Sequence, residues 1–203
     1  MKNDSKKTSQ TGPETWRVFC AVGLPADVRG HLAEHINRLR EAVPNSQASW
    51  SRAENIHLTL KFLGETKTHR IEHLSNAAAQ AVEGLSPFQI SLEGNGVFPK
   101  RGLPRVLWIG VEDESGKLAR LYSRLEEACV REGFRNEQRP FSPHLTLARL
   151  RQPQSAQHLA AAHNAIRFGP EQVTVSELLV IRSELSAEGS RYTVISRHAL
   201  GRT

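Results

Sequence analysis

The sequence predicts an α+β fold, and three features of the chain indicate it. Short apolar runs rich in β-branched and aromatic residues recur along its whole length, separated by glycine and proline. Other segments carry apolar residues at spacings of three and four. The two kinds of segment are mixed, with hairpins expected between strands, which is typical of the α+β class.

The predicted strands are short apolar runs. The first is Trp16–Val22 and the second is Ile56–Leu63, which we expect Gly64 to end. Later runs of the same character are Phe88–Leu92, Val97–Phe98, Val106–Val111, Leu145–Leu150, Val173–Ile181 and Arg191–Ser196.

The predicted helices follow the apolar periodicity. The first begins at Pro25 and ends at Pro44, since proline is favoured in a first turn and cannot continue a helix. Helical spacing also marks Ile71–Leu85, Leu118–Cys129 and, more weakly, Ala156–Ile166. Gly133 is placed to take the left-handed position that often follows a helix.

Length and composition limit the class of protein. Residues 1–15 are polar and aperiodic, so we predict a disordered tail before a single domain over residues 16–203. The tail contains no apolar core of a secretory signal, and no apolar run is long enough to span a membrane. Two cysteines cannot form a disulfide framework. We therefore expect a cytoplasmic protein. We also predict a monomer, although no feature of the sequence determines the oligomeric state.

The chain is basic, with 27 lysines and arginines against 21 acidic residues, a formal net charge of +6. Five of the arginines lie between Arg131 and Arg151. A basic surface suits a phosphate-bearing ligand, although a merely solvated charged face explains the same excess.

One tetrapeptide occurs twice: His57–Leu60 and His144–Leu147 both read His-Leu-Thr-Leu, each at a predicted strand. Alternate residues of a strand share a face, so each histidine projects beside its threonine while both leucines face the core. A single His-x-Thr is more often structural. Two identical copies in strands, with basic residues around the second, favour a functional site.

Two imidazoles beside two hydroxyls suit phosphodiester hydrolysis. One ring can take a proton from water while the other protonates the leaving oxygen. Thr59 and Thr146 can hold the non-bridging oxygens, and cations can assist. Lys61 is two residues after Thr59, so it is expected on the same face of the strand. Arg149 is three residues after Thr146, so it is expected on the opposite face and reaches the phosphate only if its strand ends or bulges.

The flanks of both tetrapeptides carry a family resemblance. Asn55–Glu65 (NIHLTLKFLGE) and Arg139–Arg149 (RPFSPHLTLAR) resemble the two signatures of the 2H phosphoesterases. They are most similar to the bacterial and archaeal RNA 2′,3′-cyclic phosphodiesterases, formerly called 2′-5′ RNA ligases. The resemblance extends over about residues 16–200 through Trp16–Phe19, Gly23–Pro25, Pro104–Trp108 and Arg191–Val194.

The resemblance implies two pseudo-symmetric lobes, each with an antiparallel sheet facing a central cleft and helices outside. It implies that His57 protonates the leaving ribose 3′-oxygen and that His144 activates water, with Thr59, Thr146 and Arg149 on the phosphate. The implied substrates are RNA ends or nucleotides bearing a 2′,3′-cyclic phosphate, and the product is a 2′-phosphate. No cofactor or metal is expected.

Four aromatic residues are candidates for contact with a nucleobase, although each also suits a core: Trp50, Phe62, Trp108 and Phe141. Phe141 is favoured because it adjoins the second motif. The pairs His31/His35 and His69/His73 have a spacing that can bind zinc, but lack a recognisable third ligand. We expect both pairs on solvated helix faces.

Three other functions remain open. The same histidines can join a cyclic phosphate to a 5′-hydroxyl, which would make the protein an RNA ligase. A non-catalytic RNA-binding module would show salt-dependent binding without turnover. A zinc hydrolase built on the helical histidine pairs would lose all activity in chelator.

Overall fold

The computed structural model describes residues 14–151, 153–186 and 189–201. The predicted disordered tail lies almost entirely outside these residues. Nine strands are described: β1 Thr15–Val22, β2 Ala48–Trp50, β3 Leu58–Lys67, β4 Phe88–Phe98, β5 Val106–Glu112, β6 His144–Leu150, β7 Glu171–Val175, β8 Glu177–Ser186 and β9 Gly189–Ala199. The four α-helices are α1 Ala26–Ala42, α2 Ile71–Val82, α3 Lys117–Arg131 and α4 Pro153–Ala165.

The strands form two antiparallel sheets, which confirms the α+β class. The first sheet has the order β3-β1-β8-β9 and the second has the order β2-β6-β5-β4-β7. One tetrapeptide leads into β3 and the other into β6, so the two copies lie in different sheets. In the described part of the chain, no helix is long and apolar enough to cross a membrane.

The helices cover the face of each sheet that buries the main core. Helices α2 and α3 contact each other; α2 also contacts β8 and β9, α3 contacts β3, and α4 contacts β4. A separate, smaller apolar cluster lies on the first sheet: Phe19, Ala21, Leu179 and Ile181, with Tyr192 against them. Because alternate side chains of a strand point to opposite faces, this cluster marks the face turned away from the helices.

Gly133 ends α3 as predicted. Its φ of +77° is the left-handed conformation, which glycine adopts without a Cβ clash. Its N–H donates to the carbonyl of Val130, and the N–H of Phe134 donates to the carbonyl of Cys129. This pair of bonds is a Schellman motif and satisfies carbonyls that the helix leaves unpaired.

Several predicted strand boundaries are wrong, and β2 corresponds to no predicted strand. Strand β3 continues through Gly64, which pairs with Val18 in the ladder, and β4 is one strand rather than two. The predicted strand Val173–Ile181 is two strands, because the chain crosses from the second sheet to the first at Ser176. In β7 buried and exposed residues alternate, whereas β8 begins with a continuous buried run, and the polar residues Ser176 and Glu177 stand at the crossing.

Candidate active site

Both His-Thr pairs line one cavity of about 650 Å³. His57 and Thr59 come from the first sheet, whereas His144 and Thr146 come from the second. The cavity therefore lies between the sheets, and residues that are 87 positions apart in the sequence meet there. The structure brings together the four residues that the repeat singled out.

The two imidazoles are held in the same way. Nδ1 of His57 donates to the carbonyl oxygen of Asn55, and Nδ1 of His144 donates to that of Ser142, each at 2.7 Å. A carbonyl only accepts hydrogen bonds, so Nδ1 carries the proton in both rings. Nε2 is therefore the nitrogen that can take up or release a proton.

His57 sits in an aromatic environment. Its ring stacks on Phe19 with centroids 4.6 Å apart, and Tyr192 meets it edge-on at 5.3 Å. Burial lowers the pKa of His57 because the charged imidazolium loses water, and the hydrogen bond to Asn55 opposes that shift. The His57 imidazolium is therefore a stronger acid than free histidine.

A β-bulge follows each His-x-Thr segment. Thr59 pairs with Ala21 and Lys61 with Cys20, which leaves Leu60 as the extra residue. In β6, Thr146 pairs with Trp108 and Ala148 with Leu107, which leaves Leu147 as the extra residue in the same place. Such a residue shifts the alternation of side chains by one.

The bulge at Leu147 decides the position of Arg149. On simple alternation Arg149 would face away from His144 and Thr146, but beyond the bulge it joins their face and lines the cavity. From the sequence alone it was open whether the strand bulges before Arg149, and the structure contains that bulge. Arg149 can therefore give charge-assisted hydrogen bonds to an anion between the histidines.

The equivalent bulge at Leu60 contradicts the prediction for Lys61. Its side chain turns to the helix side and is buried, with Nζ at 2.8 and 2.7 Å from the two carboxylate oxygens of Glu126. Nζ also donates to the carbonyl of Arg135 at 2.9 Å. Lys61 is therefore a buried structural cation and does not reach the cavity.

The aromatic candidates separate into two groups. Phe62 and Trp50 line the cavity. Phe141 does not, because it stacks on Tyr122 at 4.1 Å and packs against the core. Trp108 also lies outside the lining: its indole covers Gly96, where a Cβ would have no room, and its ring centroid is 6.2 Å from that of His144.

Sequence reasoning missed several lining residues. Phe19 and Tyr192 lie in segments that carry the family resemblance, but no feature of the sequence singles them out as site residues. The lining also includes four arginines, Arg17, Arg52, Arg149 and Arg151. No aspartate or glutamate is among the described residues that line the cavity. Arg151 is two residues after Arg149, so a bulge that brings Arg149 to the cavity also predicts that Arg151 lies on the cavity side. The cavity is thus strongly basic and suits an anionic ligand.

The helical histidine pairs do not converge on a metal site. His31 contacts Glu171 at 2.8 Å and His73 contacts Glu132 at 2.7 Å. His35 is fully buried beside His163, so the expectation of a solvated face is wrong for it. Within the described ranges, no cluster of three or more histidine, cysteine or acidic residues has a geometry suited to a metal ion.

A family model described as the 2′-5′ RNA ligase superfamily matches residues 28–187. The chain belongs to that superfamily. This confirms the resemblance to the 2H phosphoesterases that the two tetrapeptides and their flanks indicate.

Curated members of the superfamily match nearly the whole chain. An RNA 2′,3′-cyclic phosphodiesterase of Methanothermobacter thermautotrophicus is 34% identical, over 87% of this chain and 95% of its own. One of Thermus thermophilus is also 34% identical, over 91% of this chain and 90% of its own. The superfamily member described here is therefore similar to these enzymes along their length.

Solved structures agree with this placement. A crystal structure of a Thermus thermophilus protein has a TM-score of 0.76, with 30% identity over 91% of this chain and 97% of its own. The Escherichia coli LigT structure with 3′-AMP has a TM-score of 0.71, with 29% identity over 93% of this chain and 100% of its own. The superfamily fold extends over most of the chain.

Proposed function

We propose that this protein is an RNA 2′,3′-cyclic phosphodiesterase that opens 2′,3′-cyclic phosphates at RNA ends or on nucleotides to 2′-phosphates. One observation carries the proposal: two His-Thr pairs from different sheets line one basic cavity, with each imidazole oriented by the carbonyl two residues before it. The names of the curated relatives, which match along most of their length, support it.

The proposed reaction uses both rings at Nε2. Neutral His144 takes a proton from water as the water oxygen bonds to phosphorus. The bond from phosphorus to the ribose 3′-oxygen breaks, and protonated His57 gives its proton to that oxygen. The division into acid and base follows the family resemblance, because the two rings have the same hydrogen-bond geometry.

The remaining cavity residues bind the phosphate. We assign the hydroxyls of Thr59 and Thr146 and the guanidinium of Arg149 to the non-bridging oxygens, whose charge must be stabilised in the transition state. An anion close to His57 also favours its protonated form and opposes the effect of burial on its pKa. Substrate binding therefore favours uptake of a proton from solvent by His57.

Phe62 and Trp50 are proposed to contact bases of an RNA strand at the cavity. Phe62 suits this role because about half of its surface is exposed and Arg17 lies over its ring at 4.9 Å. Aromatic rings stack on any base, so such contacts add affinity with little sequence preference.

The second candidate function is ligation at the same site, which the superfamily description favours. A 5′-hydroxyl would replace water as the nucleophile and His144 would accept its proton. Hydrolysis dominates unless the cleft holds that hydroxyl at a high effective molarity. No described feature assigns a separate site for a 5′ end, so we rank hydrolysis first.

The test uses a short RNA that ends in a 2′,3′-cyclic phosphate, with chelator present. Chromatography separates 2′-phosphate, 3′-phosphate and unreacted ends. We expect conversion to the 2′-phosphate, lost in His57→Ala and in His144→Ala but kept in His158→Ala, which removes an exposed histidine of α4. Full activity in the double variant of His57 and His144 would overturn the proposal.

We also propose that residues 16–203 act as a single catalytic domain and that the N-terminal tail is dispensable for catalysis. A chain lacking residues 1–13 should keep the turnover of the full chain in the same assay. The cytoplasmic location and the monomeric state stay predictions.

A further inference from the structure

We propose that a second cavity beside His57 is the binding site for the nucleobase of the reacting nucleotide. This inference rests on the proposed function and adds a subsite to it. The cavity has a volume of about 500 Å³ and lies between the first sheet and the start of α1. It shares His57 and Tyr192 with the larger cavity, so the two spaces meet at the acid.

The second cavity has an apolar floor. Leu24, Leu179 and Ile181 line it, and each is less than a tenth exposed. Val194, which lies on β9 and is 37% exposed, adds an accessible apolar wall. The walls as a whole combine apolar and polar side chains in similar proportion, so a pocket of this size can hold a planar ligand that has an apolar face and polar edges.

The charges at this cavity compensate each other. Arg197 pairs with Glu177 at 2.7 Å, and the lining also contains Arg29 and Glu54, so cations and carboxylates are equal in number. The larger cavity instead combines several arginines with no acidic residue in its described lining. The larger cavity therefore suits the phosphate, and the second suits an uncharged group with an apolar face and polar edges.

The chemistry of the reaction links the two spaces. His57 protonates the ribose 3′-oxygen, so the ribose must lie against His57 while its phosphate is held in the larger cavity. The nucleobase is bonded to the same ribose and must enter a space next to His57. Tyr192 is edge-on to His57 at 5.3 Å and lines both cavities, so it forms the wall that the ribose contacts.

Polar groups are available for the edge of a base. The side chains of Thr174 and Ser176 line the second cavity near its apolar floor. The hydroxyl of Thr174 accepts a hydrogen bond from Gln89 and can still donate its own proton. These hydroxyls suit the polar edge, while the leucine and isoleucine side chains suit the face.

The test compares two substrates: a nucleoside 2′,3′-cyclic phosphate and methyl riboside 2′,3′-cyclic phosphate, which has a methyl group where the base would be. We expect wild type to prefer the nucleoside substrate by about tenfold or more in kcat/KM, mainly through KM. Val194→Trp fills the cavity and should remove most of that preference. Thr193→Trp adds the same side chain to the exposed, opposite face of β9 and should keep it.

A binding measurement separates this inference from the proposed function. Nucleoside 2′-monophosphate should shift the methyl resonances of Val194 and Leu179, whereas ribose 2-phosphate should leave them in place. Equal use of both substrates by wild type, or unmoved methyl resonances, overturns the base subsite even if hydrolysis is confirmed. Failure of folded wild type to hydrolyse either substrate overturns the proposed function instead, and the methyl shifts still decide the subsite.

Discussion

Leu60 and Leu147 occupy equivalent places in the two sheets: each is the extra residue of a β-bulge directly after a His-x-Thr segment. Each bulge turns the second residue after it onto the histidine face, which brings Phe62 to the cavity on one side and Arg149 on the other. One local irregularity, used twice, thus places an aromatic ring and a guanidinium at the same site.

Arg149→Gln should lower kcat/KM for a cyclic phosphate by about 10- to 100-fold, because a charge-assisted contact to the transition state is lost. The unfolding midpoint should stay near that of wild type, since Arg149 is exposed. Steady-state kinetics and urea denaturation check both statements. Arg120→Gln, on the exposed face of α3, is the matched control. Unchanged kinetics in Arg149→Gln would remove this residue from the site.

Lys61→Met should destabilise the fold by about 3–5 kcal/mol, because the Glu126 carboxylate is then buried without its cation. Lys61→Met combined with Glu126→Gln should be less destabilised than the two single variants summed. The glutamine oxygen can still accept the backbone N–H of Glu137, as the carboxylate does at 3.1 Å. Urea unfolding of the four proteins gives the coupling energy, and strict additivity contradicts the buried ion pair.

The free protein should show a His57 pKa below the ordinary value of 6.5, because burial disfavours the imidazolium. Nucleoside 2′-monophosphate should raise that pKa, since the anion favours the charged ring. NMR titration of the ring protons, with His57→Ala for assignment, measures both. A pKa that does not rise when the anion binds would show that the phosphate lies away from His57.

The pH dependence of turnover follows from the same group. His57 must be protonated, so kcat/KM should fall as the pH rises through its lowered pKa in the free enzyme. In the bound complex the phosphate raises this pKa, so the alkaline limb of kcat should lie at a higher pH than that of kcat/KM. Coincident alkaline limbs for the two constants contradict His57 as the acid.

Acid should destabilise the protein partly through His35. Burial, then the neighbouring charges of His163 and Arg38, lower the pKa of His35 from 6.5 to about 4. Above pH 6.5 the ring is neutral in both states and its contribution is fully present. As the pH falls from 6.5 to 4, only the unfolded state gains the proton, and about 3 kcal/mol of stability is lost.

His35→Leu removes this titrating ring, along with the buried Nε2, which has no hydrogen-bond partner among the residues that the structure describes. The free energy of unfolding of the His35→Leu variant should therefore fall less between pH 6.5 and pH 4 than that of wild type. His158→Leu, at an exposed position of α4, serves as the control. Parallel pH profiles for wild type and His35→Leu would contradict the lowered pKa.

Much of the secondary structure could be predicted because local patterns determine it. The cap at Gly133 depends on a residue that tolerates positive φ, and α1 depends on apolar spacing bounded by prolines. The crossing at Ser176 was not predicted, because a single residue separates β7 from β8 and strand propensity does not show which sheet a segment joins.

By itself the sequence determined the α+β class through local periodicity, and it determined the two His-Thr pairs through a repeated tetrapeptide. It indicated the family through the resemblance of both tetrapeptides and their flanks to known signatures. Only the tertiary structure decided that Lys61 faces a buried carboxylate while Arg149 faces the cavity. The physical reason is that a bulge arises from how a strand pairs with its neighbour, and one extra residue reverses the face of each side chain beyond it.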